Sequence, residues 1–407
     1  MSKRDSLLFY CQHSLGMGHL VRSLALAASL GERFQVIFLN GGLLPKGMKI
    51  PRGVEMVDLP PLGMDTNGKL ISRDGRRTVE RALCERRRLI LETFREFCPQ
   101  VVFIELFPFG RKKFAVELLP VLEAARRARP VRPLVCCSLR DILVGKKSDQ
   151  QKHDERAVEI ANSYFDAIMV HSDPAFARLE ESLLSFSSLR TPIYYTGFVQ
   201  PDAGGERVAV SKGKRQIIVS AGGGIVGDTL FRTAVAAYPL LKQTDDVLMK
   251  IVTGPFLPEA AWASLRVAAQ GQPGLSVKRF VPDLSSEMRG SAASISQCGY
   301  NTALDILRAG TPALVVPFAD GLEDEQLKRA RRLEARGAIR VLEQEHLKID
   351  RLAAEIRGLL DFVPRPLQLD LEGARNTARL VESLIRAGRK KECAPGDTHS
   401  SAREVYT

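Results

Sequence analysis

Ser296-Gln297-Cys298-Gly299-Tyr300-Asn301-Thr302-Ala303-Leu304-Asp305 closes one apolar run, Ala293 to Ser296, and leads through Gly310-Thr311-Pro312 into another, Ala313 to Val316. Between them the spacing is helical as far as Ala309, with Asn301 or Thr302 placed to cap the helix. Strand, helix, strand is the unit of a parallel sheet, because parallel neighbours need a long crossover. Outward from this unit the alternation repeats, with candidate strands at Gln216 to Ser220, Val247 to Val252, Leu275 to Phe280 and Ile339 to Leu342. An earlier series holds Leu7 to Cys11, Gln35 to Leu39, Val54 to Asp58, Val101 to Glu105, Leu134 to Ser138, Ala167 to Val170 and Ile193 to Thr196. Apolar runs of this kind, separated by helical patterns, predict an α/β chain of two doubly wound, Rossmann-like domains facing a cleft. The expected limits are residues 1–200, a Gly- and Lys-rich linker at 201–214, a second domain at 215–370, a helix at 371–388 and a disordered tail at 389–407.

Composition agrees with two cores. The 407 residues exceed one usual core, and 45% hydrophobic with 26% charged residues is a globular balance. No apolar stretch is long enough for a membrane span or a signal peptide, so a cytoplasmic location is expected. Seven cysteines without C-x-x-C spacing suit buried thiols in a reducing compartment and give no zinc motif. The net charge of +12 includes a dense run from Arg73 to Arg88, which reads as the solvated face of a helix. The alternative is a surface that attracts an anionic partner, including a peripheral membrane contact. Nucleic acid is disfavoured, because the chain has no zinc-finger spacing or basic zipper and only 6% aromatic residues.

In doubly wound sheets ligands bind beyond the carboxyl ends of the strands, so the strand exits carry the candidate chemistry. The first exit holds His13, Gly16, Gly18 and His19. The glycines permit a tight turn with free amides, and an imidazole near neutrality can act as a base or simply cap its helix. Glu105 ends another strand beside Phe107 and Phe109. There it can orient a histidine or mark a strand end. Gly222, Gly223 and Gly224 join a strand to a helix without a following G-K-[ST], which disfavours nucleoside triphosphate hydrolysis and leaves a backbone cradle for a diphosphate. Around the opening stretch, Gly299 to Thr302 form a helix start that suits an anion, and Asp305 one turn later can accept hydrogen bonds from a diol. Glu325 and Gln326 start another helix with side chains suited to sugar hydroxyls. Arg140 with Asp141, and His171, read as buried structural pairings rather than cleft residues.

Cys298-Gly299-Tyr300-Asn301-Thr302, with Asp305, Gly310, Pro312, Pro317 and Glu325-Gln326, resembles the donor signature of two-domain GT-B glycosyltransferases. It is similar to the UDP-glycosyltransferases and to the family 28 enzymes that add N-acetylglucosamine to the lipid-linked peptidoglycan precursor. Gly16-Met17-Gly18-His19-Leu20-Val21-Arg22 resembles the first loop of family 28 and, more closely, that of UDP-sugar hydrolases of the pseudaminic acid pathway. The resemblance implies that Gly222 to Gly224 and the amides at Gly299, Tyr300, Asn301 and Thr302 hold the donor diphosphate. It gives the ribose to Asp305, the base to backbone near Phe280 and Val281, and the sugar to Glu325 and Gln326. His19 becomes the base or an acceptor-side group with Glu105 as its partner, His13 lies beside it, and the 371–388 helix crosses back to the first domain. There are two departures: Asp305 stands where these families have Glu, and Gln297 replaces a histidine.

The resemblance implies transfer from a nucleotide-diphosphate sugar, UDP-linked, to an unidentified acceptor that is lipid-linked, small or protein. Inversion would proceed by direct displacement, with no cofactor and no catalytic metal, since no strong D-x-D element is present. Two alternatives remain: a hydrolase using water as the acceptor, and a non-catalytic nucleotide-sugar-binding or membrane-surface protein.

Overall fold

In the computed structural model, the described residues are 4–13, 18–45, 47–65, 68–143, 145, 149–200, 215–243, 245–319 and 324–393. Gly16, the 201–214 linker and residues 394–407 lie outside them. The first domain runs β1 (Ser6–Cys11), α1 (Gly18–Gly31), β2 (Gln35–Asn40), β3 (Val54–Asp58), β4 (Leu62–Met64), β5 (Leu70–Ser72), α2 (Val79–Phe97) and β6 (Val101–Glu105). It continues with α3 (Ala115–Arg127), β7 (Leu134–Arg140), α4 (Gln150–Tyr164), β8 (Ala167–His171) and β9 (Ile193–Tyr195). The second domain runs β10 (Arg215–Ser220), α5 (Asp228–Lys242), β11 (Val247–Val252), α6 (Glu259–Ala269), β12 (Leu275–Lys278), α7 (Leu284–Arg289) and β13 (Ala293–Ser296). After it come α8 (Tyr300–Ala309), β14 (Ala313–Val315), α9 (Glu325–Ala335), β15 (Arg340–Val341), α10 (Ile349–Leu360) and α11 (Gly373–Cys393).

Each domain holds one parallel sheet, in the orders β3-β2-β1-β6-β7-β8-β9 and β12-β11-β10-β13-β14-β15. Their strands are apolar almost throughout because helices cover both faces, as in β1, β6 and β8, where every residue is buried. The strand order reverses between β1 and β6 and between β10 and β13, so the loops leaving these four strands open onto the crevice of each sheet. A third, two-stranded antiparallel sheet, β4 with β5, lies outside the expected pattern.

The two domains are joined twice. The outgoing chain and the returning chain bond to each other, Phe198 N–H to Asp370 O at 2.7 Å and Gly373 N–H to Phe198 O at 3.0 Å. A Cβ on Gly373 would fall 2.2 Å from Gly197 O, so only glycine permits this approach. Beyond it, α11 returns to the first domain, burying Ala374, Ala378, Val381 and Ile385 against Leu20, Leu24 and Ala27 of α1. The helix continues to Cys393, past the expected end at 388, and Arg389 bonds Asp5 at 2.7 Å, so the segment expected to be disordered begins inside a helix.

The Arg73 to Arg88 run does not form one solvated face. Arg73 to Arg77 precede α2, which Thr78 caps by accepting from Arg81 N–H. Arg86 is fully buried. Its guanidinium donates to Glu117 at 2.6 and 2.8 Å, to Gln12 Oε1 at 2.7 Å and to the carbonyls of Gly41 and Pro60 at 2.9 and 3.0 Å. These five bonds satisfy a charge that could not otherwise be buried.

Candidate active site

The exits of β1 and β6 bring His19 and Glu105 together. His19 Nδ1 lies 2.6 Å from Glu105 Oε1, which also accepts from Arg22 Nη2 at 2.5 Å. Arg111 Nε stands 3.9 Å from the other carboxylate oxygen. Burial works to raise the pKa of Glu105, but His19, Arg22 and Arg111 hold it down to about 2, so the group is an anion. Burial pushes His19 down to about 3, with Glu105 opposing and Arg111 and Arg22 adding to the fall. A neutral imidazole beside a carboxylate must donate through Nδ1–H, which leaves Nε2 as an unprotonated acceptor.

His13 does not join this pair. Its Nε2 lies 3.0 Å from Asn40 Oδ1, its ring is buried against Gly42, and burial lowers its pKa. His171 is likewise structural, bonded to Ser138 and Thr196 at 2.8 Å each. Phe107 and Phe109 are buried in the first core.

Opposite lies the start of α8. Its N-cap is Gly299, with no side-chain cap, so Asn301 and Thr302 sit inside the first turn and leave its amides open, against the expected capping role. A Cβ on Gly299 would meet nothing within 4 Å. Gly222, in left-handed backbone at φ 53°, faces this turn, its Cβ position 3.6 Å from Thr302 Oγ1. The other glycines have a structural cause. A Cβ on Gly224 would fall 2.1 Å from Thr253 O, and one on Gly254 would fall 2.5 Å from Gly223 C, so two loops are stacked backbone on backbone. Gln297, at the departing position, donates to Val226 O at 2.9 Å and pins the glycine loop.

Three assigned side chains are already engaged. The Tyr300 hydroxyl donates to His171 O and accepts from Val199 N–H, each at 2.9 Å, so its phenol is an interdomain strut and only its backbone faces a ligand. Gln326 Oε1 accepts from Cys298 N–H at 3.0 Å and Phe318 N–H at 3.2 Å, which leaves only its NH2 for a sugar. Glu325 pairs with Arg140 of the first domain at 2.5 Å. Asp141 pairs with Arg329 rather than with Arg140, so both residues of that dipeptide bridge to α9. Asp305 is half-buried, and its carboxylate makes no hydrogen bond among the described residues. Burial, and then the charge of Asp283, push its pKa up to about 7 against the pull of Arg308. Phe280 is exposed and Val281 buried beside the β12 exit.

Among the described residues, buried polar atoms without a hydrogen-bond partner gather at these strand exits: Glu105 Oε2 and Arg111 Nε, which meet only as an ion pair, with Arg111 Nη2, Ser220 Oγ, Ser296 Oγ and Asn301 Oδ1. Asn301 also donates across the cleft to Gly18 O at 3.3 Å, so the two helix starts face each other. Buried donors and acceptors are normally paired, so this cluster at a strand-order reversal makes the crevice the candidate site. Among the described residues, no group of three or more His, Cys, Asp or Glu side chains is placed to hold a metal ion.

Residues 217–384 match the model of the glycosyltransferase family 28 C-terminal domain. The match takes in nearly all of the second sheet and most of α11. A UDP-N-acetylglucosamine–N-acetylmuramyl-(pentapeptide) pyrophosphoryl-undecaprenol N-acetylglucosamine transferase from Mesorhizobium japonicum is 34% identical over 32% of this chain and 34% of its own length. The enzyme of the same name from Alkalilimnicola ehrlichii is 28% identical over 52% of this chain and 63% of its own. The chain thus spans one third to under two thirds of the length of these curated relatives. A crystal structure of the calicheamicin glycosyltransferase superposes with a TM-score of 0.57 at 16% identity, covering 97% of this chain and 100% of that one. The fold is GT-B, with the residues that match the family 28 model on the α8 side of the cleft.

Two residues of the site, Arg22 and Arg111, were not singled out from the sequence, although Arg22 closes the quoted first-loop stretch. Arg22 sits on the buried face of α1 at the spacing of its apolar neighbours, which was the available clue.

Proposed function

We propose that the protein transfers a sugar from a nucleotide-diphosphate sugar, UDP-linked, to an acceptor hydroxyl, with inversion and without a catalytic metal. The observation that carries this reading is that a neutral His19, held by the Glu105 carboxylate, faces the uncapped start of α8 across one cleft. His19 Nε2 takes the hydroxyl proton as the acceptor oxygen bonds to the anomeric carbon and the bond from that carbon to the diphosphate oxygen breaks. A histidine this weakly basic accepts the proton only as the new bond forms and the hydroxyl acidifies, and Glu105 steadies the resulting imidazolium. The amides of Gly299 to Thr302, with Gly222 and Gly223, receive the negative charge that gathers on the leaving diphosphate. Asp305 takes the ribose diol, backbone near Phe280 and Val281 the base, and Glu325 with the Gln326 amide the sugar.

The curated relatives carry a pyrophosphoryl-undecaprenol acceptor in their names, which supports a lipid-linked acceptor met at a membrane surface. None of the described helices is long and apolar enough to cross a membrane, so that contact would be peripheral.

Titration calorimetry with UDP tests the donor assignment. Above pH 7, where its carboxyl is ionised, Asp305→Ala should weaken UDP binding by roughly ten- to a hundredfold, the worth of hydrogen bonds to a charged group. Equal affinity would reject the ribose role. The raised carboxyl pKa adds a stability signature. The unfolded chain gives up this proton near 3.8 and the folded one near 7, so stability falls as pH rises through that window. Asp305→Asn should flatten this part of the thermal midpoint profile.

A further inference from the structure

A cavity of about 410 Å³ opens on the hinge side of the molecule, and none of His19, Glu105, Asn301 or Asp305 lines it. Its volume falls within the range of small-molecule sites. One wall is the outer face of α1, where Val21, Leu24, Ala25 and Ala28 follow one another at helical spacing. Met48 and Pro51 close a second side, and Leu371 with Ala374, where the chain returns from the second domain, close the third. These walls are aliphatic and hold no aromatic ring on which a base could stack.

The polar lining is unevenly charged. Lys49, Arg308 and Arg375 supply three cations against a single carboxylate, Glu372, which pairs with Arg375 at 3.1 Å. Among the described residues neither Lys49 nor Arg308 has an ion pair within 4 Å, and although Arg308 also feels the carboxyls of Asp305 and Asp283, the side chains that line the cavity carry a positive excess. An apolar slot edged by cations matches a ligand with an aliphatic chain and an anionic head, and matches poorly a nucleotide, a sugar or a cationic peptide.

We propose that this hinge cavity binds a single-chain anionic amphiphile of the fatty-carboxylate class. The chain lies along Leu24, Ala28 and Leu371, and the head group meets Lys49, Arg308 and Arg375.

The cavity is built from both domains and from the segment that returns between them, so an occupant contacts three bodies whose relative position sets the width of the cleft. Arg308 lies on α8 three residues after Asp305 and faces its carboxylate electrostatically. A carboxylate held by Arg308 therefore perturbs the helix that presents the proposed ribose contact. This coupling rests on the donor reading of α8, whereas binding to the cavity does not. Ligand that favours one domain arrangement must shift donor affinity, and the shift must be reciprocal.

The probe is decanoate, kept below its micellar concentration and titrated calorimetrically into the full chain with and without UDP. One saturable site is expected. Ala28→Trp, which fills the slot, and Lys49→Glu, which reverses a charge at an exposed position, should each weaken binding by roughly tenfold or more. Lys49→Glu lies on the surface and leaves the core untouched, so it keeps the test alive should Ala28→Trp fail to fold. Decyltrimethylammonium, with the same chain and the opposite charge, should not compete. Absence of saturable decanoate binding, equal binding by Lys49→Glu, or competition by the ammonium probe would each overturn the proposal. A decanoate site in a protein that fails to bind UDP would leave the cavity standing and reject the donor reading instead.

Discussion

The His19→Ala variant is expected to keep its fold and its affinity for UDP while turnover falls by about two to four orders of magnitude, the usual worth of a positioned base. Only Nε2 of this ring is free to take a proton, since Nδ1 is committed to Glu105. His13 cannot substitute, because its ring is bonded to Asn40 and wedged against Gly42. The pH profile adds a second arm. With the His19 pKa pushed down to about 3, turnover at saturating donor should stay level as pH falls through 6.5, where a solvated histidine would be half protonated. Glu105→Gln should lower turnover as well, because it removes the charge that steadies the imidazolium. The same assay run without an acceptor measures free sugar. Stoichiometric release that depends on His19 would make water the acceptor, and turnover unchanged in His19→Ala would remove the base altogether.

Asp141→Ala is expected to cost about 3–5 kcal/mol, the penalty for leaving a buried charge without its partner. Arg329 is fully buried on α9 of the second domain and grips Asp141 of the first with two bonds, at 2.7 and 2.8 Å. Its remaining amino group donates to Cys298 O at 2.7 Å, directly before the uncapped start of α8. Loss of Asp141 leaves Arg329 to turn toward Glu325, now 3.8 Å away, and so to disturb the helix proposed to meet the sugar. The deficit should appear in calorimetry as a lowered transition for the docking of the two domains. The double variant Asp141→Ala/Arg329→Leu should recover part of it, since no unpaired charge then remains. An unchanged midpoint in Asp141→Ala would show that this pair does not hold the domains together.

Where the sequence was legible, the reason is that one physical pattern dominated. Strands buried on both faces are apolar along most of their length, so β1 and β6 stand out from the helices around them, and these runs place His19 and Glu105 at strand exits. The β4–β5 hairpin escaped because its strands are only three residues long, too short for an alternation to register. Strand β12 ends at Lys278 rather than Phe280, since an edge strand has a single neighbour to hold its last residues. Arg86 was read with its charged neighbours as surface. Its position four residues from both Ala82 and Ile90 puts it on the buried face of α2, and that spacing was the signal to weigh against charge. The engagement of Tyr300 and Glu325 could not be read locally, because their partners His171 and Arg140 lie far along the chain, and Gln326 reaches back to Cys298 as well as to the nearer Phe318.

A crystal structure of the protein soaked with UDP bears most directly on the account. The diphosphate oxygens should lie within hydrogen-bond distance of the amides of Tyr300 to Thr302 and of the Gly222–Gly223 turn, with the ribose hydroxyls on Asp305. A nucleotide bound elsewhere, or an α8 start that stays closed against Gly18 at saturating UDP, would contradict it.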